Sequence, residues 1–279
     1  MIIEKDKLIE GQHGKPIAID FFYNNSGTKK PVVIFSHGFK GFKDWGPFNV
    51  VAKEFAKHNF VFIKLNFAFN GTTPLTPQDF TDLEAFGNNN FSKELDDLNT
   101  LLNFLEKEKA SDHNFDLENI SLIGHSRGGG ISILKGSTDK RIKKIVLWNS
   151  VNEFGKYLTV KQIEEWKENG VIYLPNLRTG QQMPLYIQLY NDTQNKHDYL
   201  NIKIAVENLN KPLLIIHGKD DETVDVVDAI EMQRWNRKAE LVLLENANHT
   251  FNAEHPYLSE NLTPEFSEAV VASVSFLKK

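Results

Sequence analysis

The chain has 279 residues, of which 41% are hydrophobic and 25% are charged, and its formal net charge is −5. This composition is typical of a folded globular protein, and the acidic balance does not favour a nucleic-acid partner, which would need a basic face. The absence of cysteine excludes a disulfide scaffold, a thiolate nucleophile and a Cys-ligated metal site.

No apolar run in the sequence approaches the length of a transmembrane helix, and the first residues, MIIEKDKLIEG, lack the pattern of a signal peptide. We therefore expect a cytoplasmic protein with no membrane partner. The sequence leaves the oligomeric state open.

The N-terminal segment alternates apolar and polar residues, which predicts two antiparallel strands at residues 2–9 and 17–23. Continuous apolar runs follow, and such runs are typical of strands that are buried on both faces of a parallel sheet. These predicted strands are residues 32–36, 60–65, 120–124, 145–149, 212–218 and 241–244.

Helical patterns separate the predicted buried strands. The predicted helices are residues 47–58, 92–108 with Ser92 as its N-cap, a helix after Ser126, 224–235 and 264–277. Residues 66–90, rich in Asn, Thr and Pro, are predicted to be a long loop. Strands that alternate with helices predict an α/β fold, with a mostly parallel central sheet covered by helices on both faces.

Residues 151–208 interrupt this alternation between the fourth and fifth buried strands. Their pattern predicts helical pieces at 160–168 and 196–207, and a hairpin over 171–190 with its turn near Thr179 and Gly180. We interpret them as a small cap inserted into a core domain of residues 1–150 and 209–279.

The stretch GHSRGG, residues 124–129, joins a predicted buried strand to a predicted helix. Gly-x-Ser-x-Gly in this context is typical of a nucleophile elbow, where small residues let the strand and the helix approach closely. Ser126 would stand exposed beside the helix N-terminus, where backbone N–H groups can stabilise an oxyanion. Ser126 is therefore the candidate nucleophile.

A serine nucleophile needs a base and an orienting acid, which follow it in the order acid, then histidine. His249 comes just after the last predicted strand and is the candidate base, with His255 as the weaker competitor. Asp220 and Asp221 follow the fifth buried strand, and spacing alone allows either to be the acid. His217, at the end of that strand, is interpreted as structural.

An oxyanion hole in this architecture takes one backbone N–H from the residue after the nucleophile and one from the loop after the first buried strand. That loop reads FSHGFKGFKDW, so the two candidate donors are the N–H groups of Arg127 and Phe39. The side chain of His37 is interpreted as a packed residue at the end of the strand.

The chain resembles an α/β-hydrolase-fold serine hydrolase over nearly its whole length. The resemblance rests on HGFKG (37–41), GHSRGG (124–129), HGKDDETV (217–224) and NHTF (248–251). The chain is most similar to the dienelactone hydrolase-like and acyl-esterase group, including bacterial cinnamoyl and feruloyl esterases with a small inserted cap. The acid motif of this group, His-Gly-x-x-Asp-x-x-Val, selects Asp221, with Val224 as the valine and Asp220 as the alternate.

One departure from the group lies after the second buried strand. Many relatives carry Asp-x-x-Gly-x-Gly-x-Ser there, whereas this chain has NFAFNGTT at residues 66–73. The motif usually braces a loop, so the departure affects the expected shape of the acyl pocket and not the chemistry. A serine nucleophile also argues against dehalogenase or epoxide hydrolase chemistry, for which the relatives use aspartate.

The expected function is hydrolysis of a carboxylic ester of a small molecule through a Ser126–His249–Asp221 triad and an acyl-enzyme, with no metal and no organic cofactor. The cap aromatics are expected mainly to fill the small subdomain, although they could form an aromatic substrate pocket. They are Phe154, Tyr157, Trp166, Tyr173, Tyr186 and Tyr190. The alternatives are a peptidase or amidase of the prolyl-oligopeptidase type, and a non-catalytic binding protein.

Overall fold

The computed structural model of the chain describes residues 1–156 and 158–279, and a sheet of eight strands lies at its centre. The strands of this sheet are β1 (Ile2–Glu10), β2 (Pro16–Tyr23), β3 (Lys30–Ser36), β4 (Val61–Asn66), β5 (Phe115–His125), β6 (Ile142–Trp148), β9 (Leu213–Gly218) and β10 (Glu240–Leu244). Their order across the sheet is β1-β2-β4-β3-β5-β6-β9-β10. The sheet is mostly parallel and β1/β2 is antiparallel, as the sequence predicts, and β2/β4 is a second antiparallel pair.

The parallel strands are mainly apolar because their two faces pack against different helical layers. In β3, Val32 and Ile34 belong to one apolar core, while Val33 and Phe35 belong to the other. The first core contains buried residues of α3 (Phe91–Glu108), α4 (Arg127–Thr138) and α8 (Val226–Trp235). The second contains buried residues of α1 (Phe48–Lys57) and α9 (Pro264–Lys278).

The long helix α3 begins one residue before the predicted start and has a different cap. Asn90, in extended conformation, accepts a hydrogen bond from the Lys93 N–H at 2.9 Å, so Asn90 and not Ser92 is the N-cap. Ser92 lies in the first turn, and its hydroxyl donates to the Asp192 carboxylate at 2.8 Å. Both residue types cap helices well, and only this tertiary contact separates them.

The predicted loop of residues 66–90 contains a short helix, α2 (Leu83–Gly87), which the sequence analysis missed. Its N-cap is Asp82, whose side chain accepts from the Ala85 N–H at 2.9 Å. A helix of five residues has too little apolar periodicity to be read from sequence.

Residues 151–208 lie between β6 and β9, which are neighbours in the sheet. In chain order their elements are α5 (Val160–Asn169), β7 (Val171–Pro175), β8 (Gln182–Tyr186), α6 (Gln188–Asn195) and α7 (Ile202–Glu207). β7 and β8 pair antiparallel as predicted, but the hairpin is shorter than predicted, because residues 188–190 belong to α6, which the sequence analysis missed. The predicted helix over 196–207 is wrong for residues 196–201, because the Asn201 side chain caps α7 by accepting from the Ile204 N–H at 3.0 Å.

Candidate active site

Ser126 occupies a sharp turn between the end of β5 and the start of α4. Its backbone has φ 56° and ψ −125°, a region that non-glycine residues rarely adopt. Such strain costs on the order of 1–3 kcal/mol and persists only where the surrounding structure holds it. Here the Ser126 N–H donates to the Trp148 carbonyl at 2.9 Å, and the Ser126 carbonyl accepts from the Gly129 N–H at 2.9 Å.

Two glycines make this turn possible by close approach of backbones. A Cβ on Gly124 would lie 2.2 Å from the Gly128 carbonyl oxygen, and a Cβ on Gly128 would lie 2.3 Å from the Ser36 carbonyl oxygen. Real Cβ contacts are never this short, so any side chain here would push α4 away from β5 and β3. The glycine spacing of the motif is therefore a packing requirement as well as a sequence signal.

His249 lies in the loop between β10 and α9, and its Nδ1 donates to Asp221 Oδ2 at 2.8 Å. Asp221 follows β9, and its Oδ1 accepts from the N–H groups of Thr223 and Val224, both at 2.8 Å. Asp220 is exposed. Of the two candidate acids, the structure therefore brings Asp221 to His249.

A second histidine contacts the same carboxylate. His217 is fully buried; its Nε2 donates to the Val224 carbonyl at 2.9 Å and lies 3.4 Å from Asp221 Oδ2. Burial alone would raise the pKa of Asp221, but hydrogen bonds from His217 and His249 hold that pKa well below the usual value for a carboxyl group. An ionised Asp221 keeps the proton of His249 on Nδ1, which leaves Nε2 free to accept a proton.

The backbone of His249 is held by two residues that the sequence analysis missed. The His249 carbonyl accepts from His125 Nε2 and from Asn149 Nδ2, both at 2.8 Å. The Asn149 side chain also accepts from the Gly218 N–H at 2.8 Å, which ties the ends of β6 and β9 to the His249 loop. A polar residue directly after a buried strand is the signal that could have identified Asn149.

His125 and His37 are buried and neutral. Burial, followed by the nearby His249, lowers the pKa of His125 to about 3. Burial lowers the pKa of His37 to about 4, and its Nδ1 donates to the Gly38 carbonyl at 2.9 Å. Neither ring is available as a general base near neutral pH.

Ser126 and His249 line one cavity of about 140 Å³, together with the loop after β3. The loop backbone lies against the serine, because a Cβ on Gly38 would be 2.8 Å from the Ser126 Cβ. Among the described residues, the backbone N–H groups of Phe39 and Arg127 have no hydrogen-bond acceptor. His255 lies outside this cavity lining, and its Nδ1 accepts from the Gly46 N–H at 3.0 Å.

Asn66 takes the first position of the departing motif and braces the same loop. Its Oδ1 accepts from the Lys43 N–H at 2.5 Å, and its Nδ2 donates to Thr72 Oγ1 at 3.0 Å. An asparagine thus provides both an acceptor and a donor at a position where aspartate would provide acceptors only.

A second cavity of about 220 Å³ opens on the other side of Ser126, between α4 and residues 151–208. Its walls are mostly apolar. They include Phe154 and Trp166 of the expected aromatic set, while Tyr190 lines an adjoining cavity.

Among the described aromatics of the set, Tyr173 and Tyr186 line neither of these two cavities. Tyr173 is 58% exposed, and the Tyr186 hydroxyl donates to Glu84 Oε2 at 2.6 Å. Tyr157 lies outside the described residues. The expectation that these residues fill the subdomain holds for Trp166, which is 2% exposed and donates from Nε1 to the Leu185 carbonyl at 2.7 Å, and it is wrong for the exposed Tyr173. Phe154 and Trp166 also line the second cavity, as the alternative of an aromatic pocket predicts.

No helix within the described residues is long and apolar enough to cross a membrane. The same part of the chain contains no group of three or more His, Cys, Asp or Glu side chains that could hold a metal ion.

Comparison with known proteins gives a family match: the BD-FAE family model covers residues 19–235, more than three quarters of the chain. A proposed esterase/lipase of Mycoplasma genitalium is 24% identical over 214 residues, which cover 69% of this chain and 72% of that protein. Est1E from Butyrivibrio proteoclasticus, solved with ferulic acid bound, is 18% identical with a TM-score of 0.72, over 98% of each chain.

A proposed dienelactone hydrolase from Klebsiella pneumoniae is 16% identical with a TM-score of 0.63, over 100% of this chain and 98% of that one. These matches confirm the expected α/β-hydrolase fold and the resemblance to the dienelactone hydrolase-like and feruloyl esterase group.

Proposed function

This chain belongs to the BD-FAE family of α/β-hydrolase esterases, and from that membership we propose that it hydrolyses a carboxylic ester of a small molecule with Ser126, His249 and Asp221 as a catalytic triad. One observation carries the proposal. The strained Ser126 shares a cavity with His249, whose Nδ1 donates to the buried Asp221 carboxylate at 2.8 Å.

The first half of the reaction forms an acyl-enzyme. Ser126 Oγ attacks the ester carbonyl carbon while His249 Nε2 takes the hydroxyl proton. The resulting imidazolium is stabilised by the ionised Asp221, whose low pKa keeps it charged. His249 then gives its proton to the leaving alkoxide oxygen, and the carbon–oxygen bond of the ester breaks.

Negative charge develops on the carbonyl oxygen during the attack. The N–H groups of Phe39 and Arg127 are proposed to donate to this oxygen, since neither has an acceptor among the described residues. Arg127 is the first residue of α4, so the positive end of the helix dipole adds to the stabilisation. Loss of one such donor typically costs about 10²–10³ in kcat.

The second half of the reaction repeats these steps with water. His249 removes a proton from the water, whose oxygen attacks the acyl carbon, and the proton returns to Ser126 Oγ as the acid is released. No step requires a metal or an organic cofactor. We infer a small substrate because the two cavities beside Ser126 measure about 140 and 220 Å³.

The test is hydrolysis of p-nitrophenyl esters, from acetate to octanoate with a cinnamate ester, by the wild type and by Ser126→Ala. We expect turnover by the wild type and a loss of at least about 10³-fold in the variant. Ser137→Ala is the matched control, because this serine is also in α4 but donates to the Leu134 carbonyl at 2.9 Å. Labelling with a fluorophosphonate probe should require Ser126 in the same way.

Two outcomes would contradict the proposal. If the wild type neither hydrolyses these esters nor takes the label, the protein is a binding module. If the wild type cleaves the corresponding p-nitroanilides faster than the esters, the peptidase or amidase alternative is correct.

A further inference from the structure

The two cavities beside Ser126 differ in one catalytic group. The 140 Å³ cavity contains His249 and the loop after β3. The 220 Å³ cavity contains Arg127 and the candidate oxyanion residue Phe39, but His249 does not line it. The two sides of a bound ester are therefore not equivalent.

Proton transfer decides which part of an ester enters which cavity. The leaving alkoxide oxygen must come within hydrogen-bond reach of His249, so the alcohol lies in the smaller cavity. The acyl group then extends into the larger and mostly apolar cavity. This assignment rests on the proposed function.

A third cavity of about 210 Å³ adjoins the acyl side and extends toward Ile163 and Thr193. The third cavity and the acyl cavity have seven lining residues in common, and the side chain of Phe154 is one of them. The third cavity therefore lies beyond the shared residues that close the acyl cavity. The depth available to an acyl chain depends on the side chains of those shared residues.

The Phe154 ring is fixed from two sides. It stacks on Phe91 of α3, with ring centroids 3.8 Å apart and an interplanar angle of 11°. Its far edge rests on α4, since a Cβ on Gly130 would lie 2.8 Å from the ring. Gly155, at φ 78°, turns the chain immediately after it. The ring thus has a defined position between the acyl cavity and the third cavity.

We propose that Phe154 is a specificity-determining residue that limits the length of the acyl chain this esterase accepts. Removal of the ring joins the acyl cavity to the third cavity, and a longer chain then fits. A larger ring at this position shortens the accepted chain.

The experiment compares kcat/KM for p-nitrophenyl esters from acetate to dodecanoate among the wild type, Phe154→Ala, Phe154→Leu and Phe154→Trp. Each additional buried methylene contributes about fourfold in kcat/KM. We expect Phe154→Ala to raise the ratio of long-chain to acetate kcat/KM by about tenfold or more. Phe154→Leu should be intermediate, and Phe154→Trp should lower the ratio.

Tyr173→Ala is the matched control, because it removes an aromatic ring of residues 151–208 that is 58% exposed. Its acyl-length profile should equal that of the wild type. A series of acetate esters with lengthening alcohols tests the orientation, and Phe154→Ala should leave the shape of that profile unchanged. Melting temperatures identify a variant that has lost its fold, and Phe154→Leu keeps an apolar contact with Phe91 if Phe154→Ala unfolds.

Three results would overturn the inference: acyl profiles that stay within about twofold across the Phe154 variants, an alcohol profile that shifts in their place, or an equal shift in Tyr173→Ala. These differ from failure of the proposed function, in which the wild type shows no Ser126-dependent hydrolysis of any ester.

Discussion

The two sides of Ser126 are built from different kinds of contact. On the sheet side, backbone lies directly against backbone, and buried polar groups satisfy one another around Asp221 and His249. On the side of residues 151–208, the wall is made of apolar side chains such as Phe154 and Trp166. Backbone contacts leave no room for substitution, whereas a side-chain wall can be reshaped one residue at a time. The candidate catalytic groups therefore lie on the side of Ser126 that tolerates substitution least. The residues that shape the pocket lie on the side that tolerates it most.

The sheet side also contains four buried charges, the ionic cluster of Asp20, Lys43, Asp44 and Lys64. Lys43 Nζ lies 2.9 Å from Asp20 Oδ2, and Lys64 Nζ lies 2.8 Å from Asp44 Oδ1, with none of the four side chains more than 4% exposed. Lys43 and Asp44 belong to the loop that contains Phe39. The cluster thus anchors the candidate oxyanion loop to β2 and β4.

The largest effect is expected for Asp221→Asn, which removes the acceptor that orients His249. kcat should fall by about 10²–10⁴ while the melting temperature changes little. Asp220→Asn, one residue earlier and exposed, should retain wild-type kcat. Steady-state kinetics on an ester substrate would contradict the assignment if both variants lost activity equally.

A large loss of stability is expected for Lys43→Met, which leaves the buried Asp20 and Asp44 to Lys64 and to the partly exposed Lys5, whose Nζ lies 3.2 Å from Asp44 Oδ1. Breaking a buried ion pair from one side typically costs about 3–5 kcal/mol. Lys57→Met is the control, since Lys57 is 60% exposed and pairs with Glu54 on the surface, so its effect should stay within about 0.5 kcal/mol. Urea unfolding of both variants measures the difference, and a loss below about 1 kcal/mol for Lys43→Met would show that the cluster does not hold the loop.

A pH-dependent effect is expected for Asp97→Asn in α3. Burial raises the pKa of Asp97 to about 8, and its Oδ2 accepts from the Ala68 N–H at 2.8 Å. The unfolded chain ionises this carboxyl near its ordinary pKa, so the wild type loses stability as the pH rises from about 4 to about 8. Asparagine resembles the neutral acid and does not ionise.

The stability of Asp97→Asn relative to the wild type should therefore increase with pH over that range, by up to about 1.4 kcal/mol per pH unit, and level off above pH 8. Urea unfolding at pH 5, 7 and 9 tests this, with the exposed Glu118→Gln as the control. A difference that is independent of pH would mean that Asp97 is ionised in the folded protein.

The smallest effect is expected for Ser92→Ala, which removes a contact between α3 and α6 at the edge of residues 151–208. We expect a loss below about 1 kcal/mol and unchanged ester hydrolysis, because Ser92 is not the helix cap. Asn90→Ala should cost more, about 0.5–2 kcal/mol, since it removes the observed N-cap. Thermal unfolding of the two variants measures both losses of stability. If Ser92 were the cap, Ser92→Ala would show the larger loss.

Local sequence patterns were sufficient to predict the strands of the central sheet and the nucleophile elbow at Ser126. The apolar runs predicted strands buried on two faces because alternate residues of β3 must meet different helical layers. The glycines around Ser126 predicted a strand–helix turn, because only glycine allows those backbones to approach so closely. The contacts behind these features join distant parts of the chain, but the patterns that reveal them span only a few residues, so the sequence alone was sufficient to predict them.

Other features depend on residues that are distant in the chain, and only the tertiary structure decided them. By spacing alone Asp220 and Asp221 are equivalent, and the family motif favours Asp221, but only the structure shows the contact with His249, 28 residues away, that separates them. The position of Asn149 directly after a buried strand marks it as a candidate, but its role could not be assigned from sequence because its partners belong to β9 and to the His249 loop. The position of Phe154 is set by α3 and α4, since packing of a side chain depends on every element that meets it.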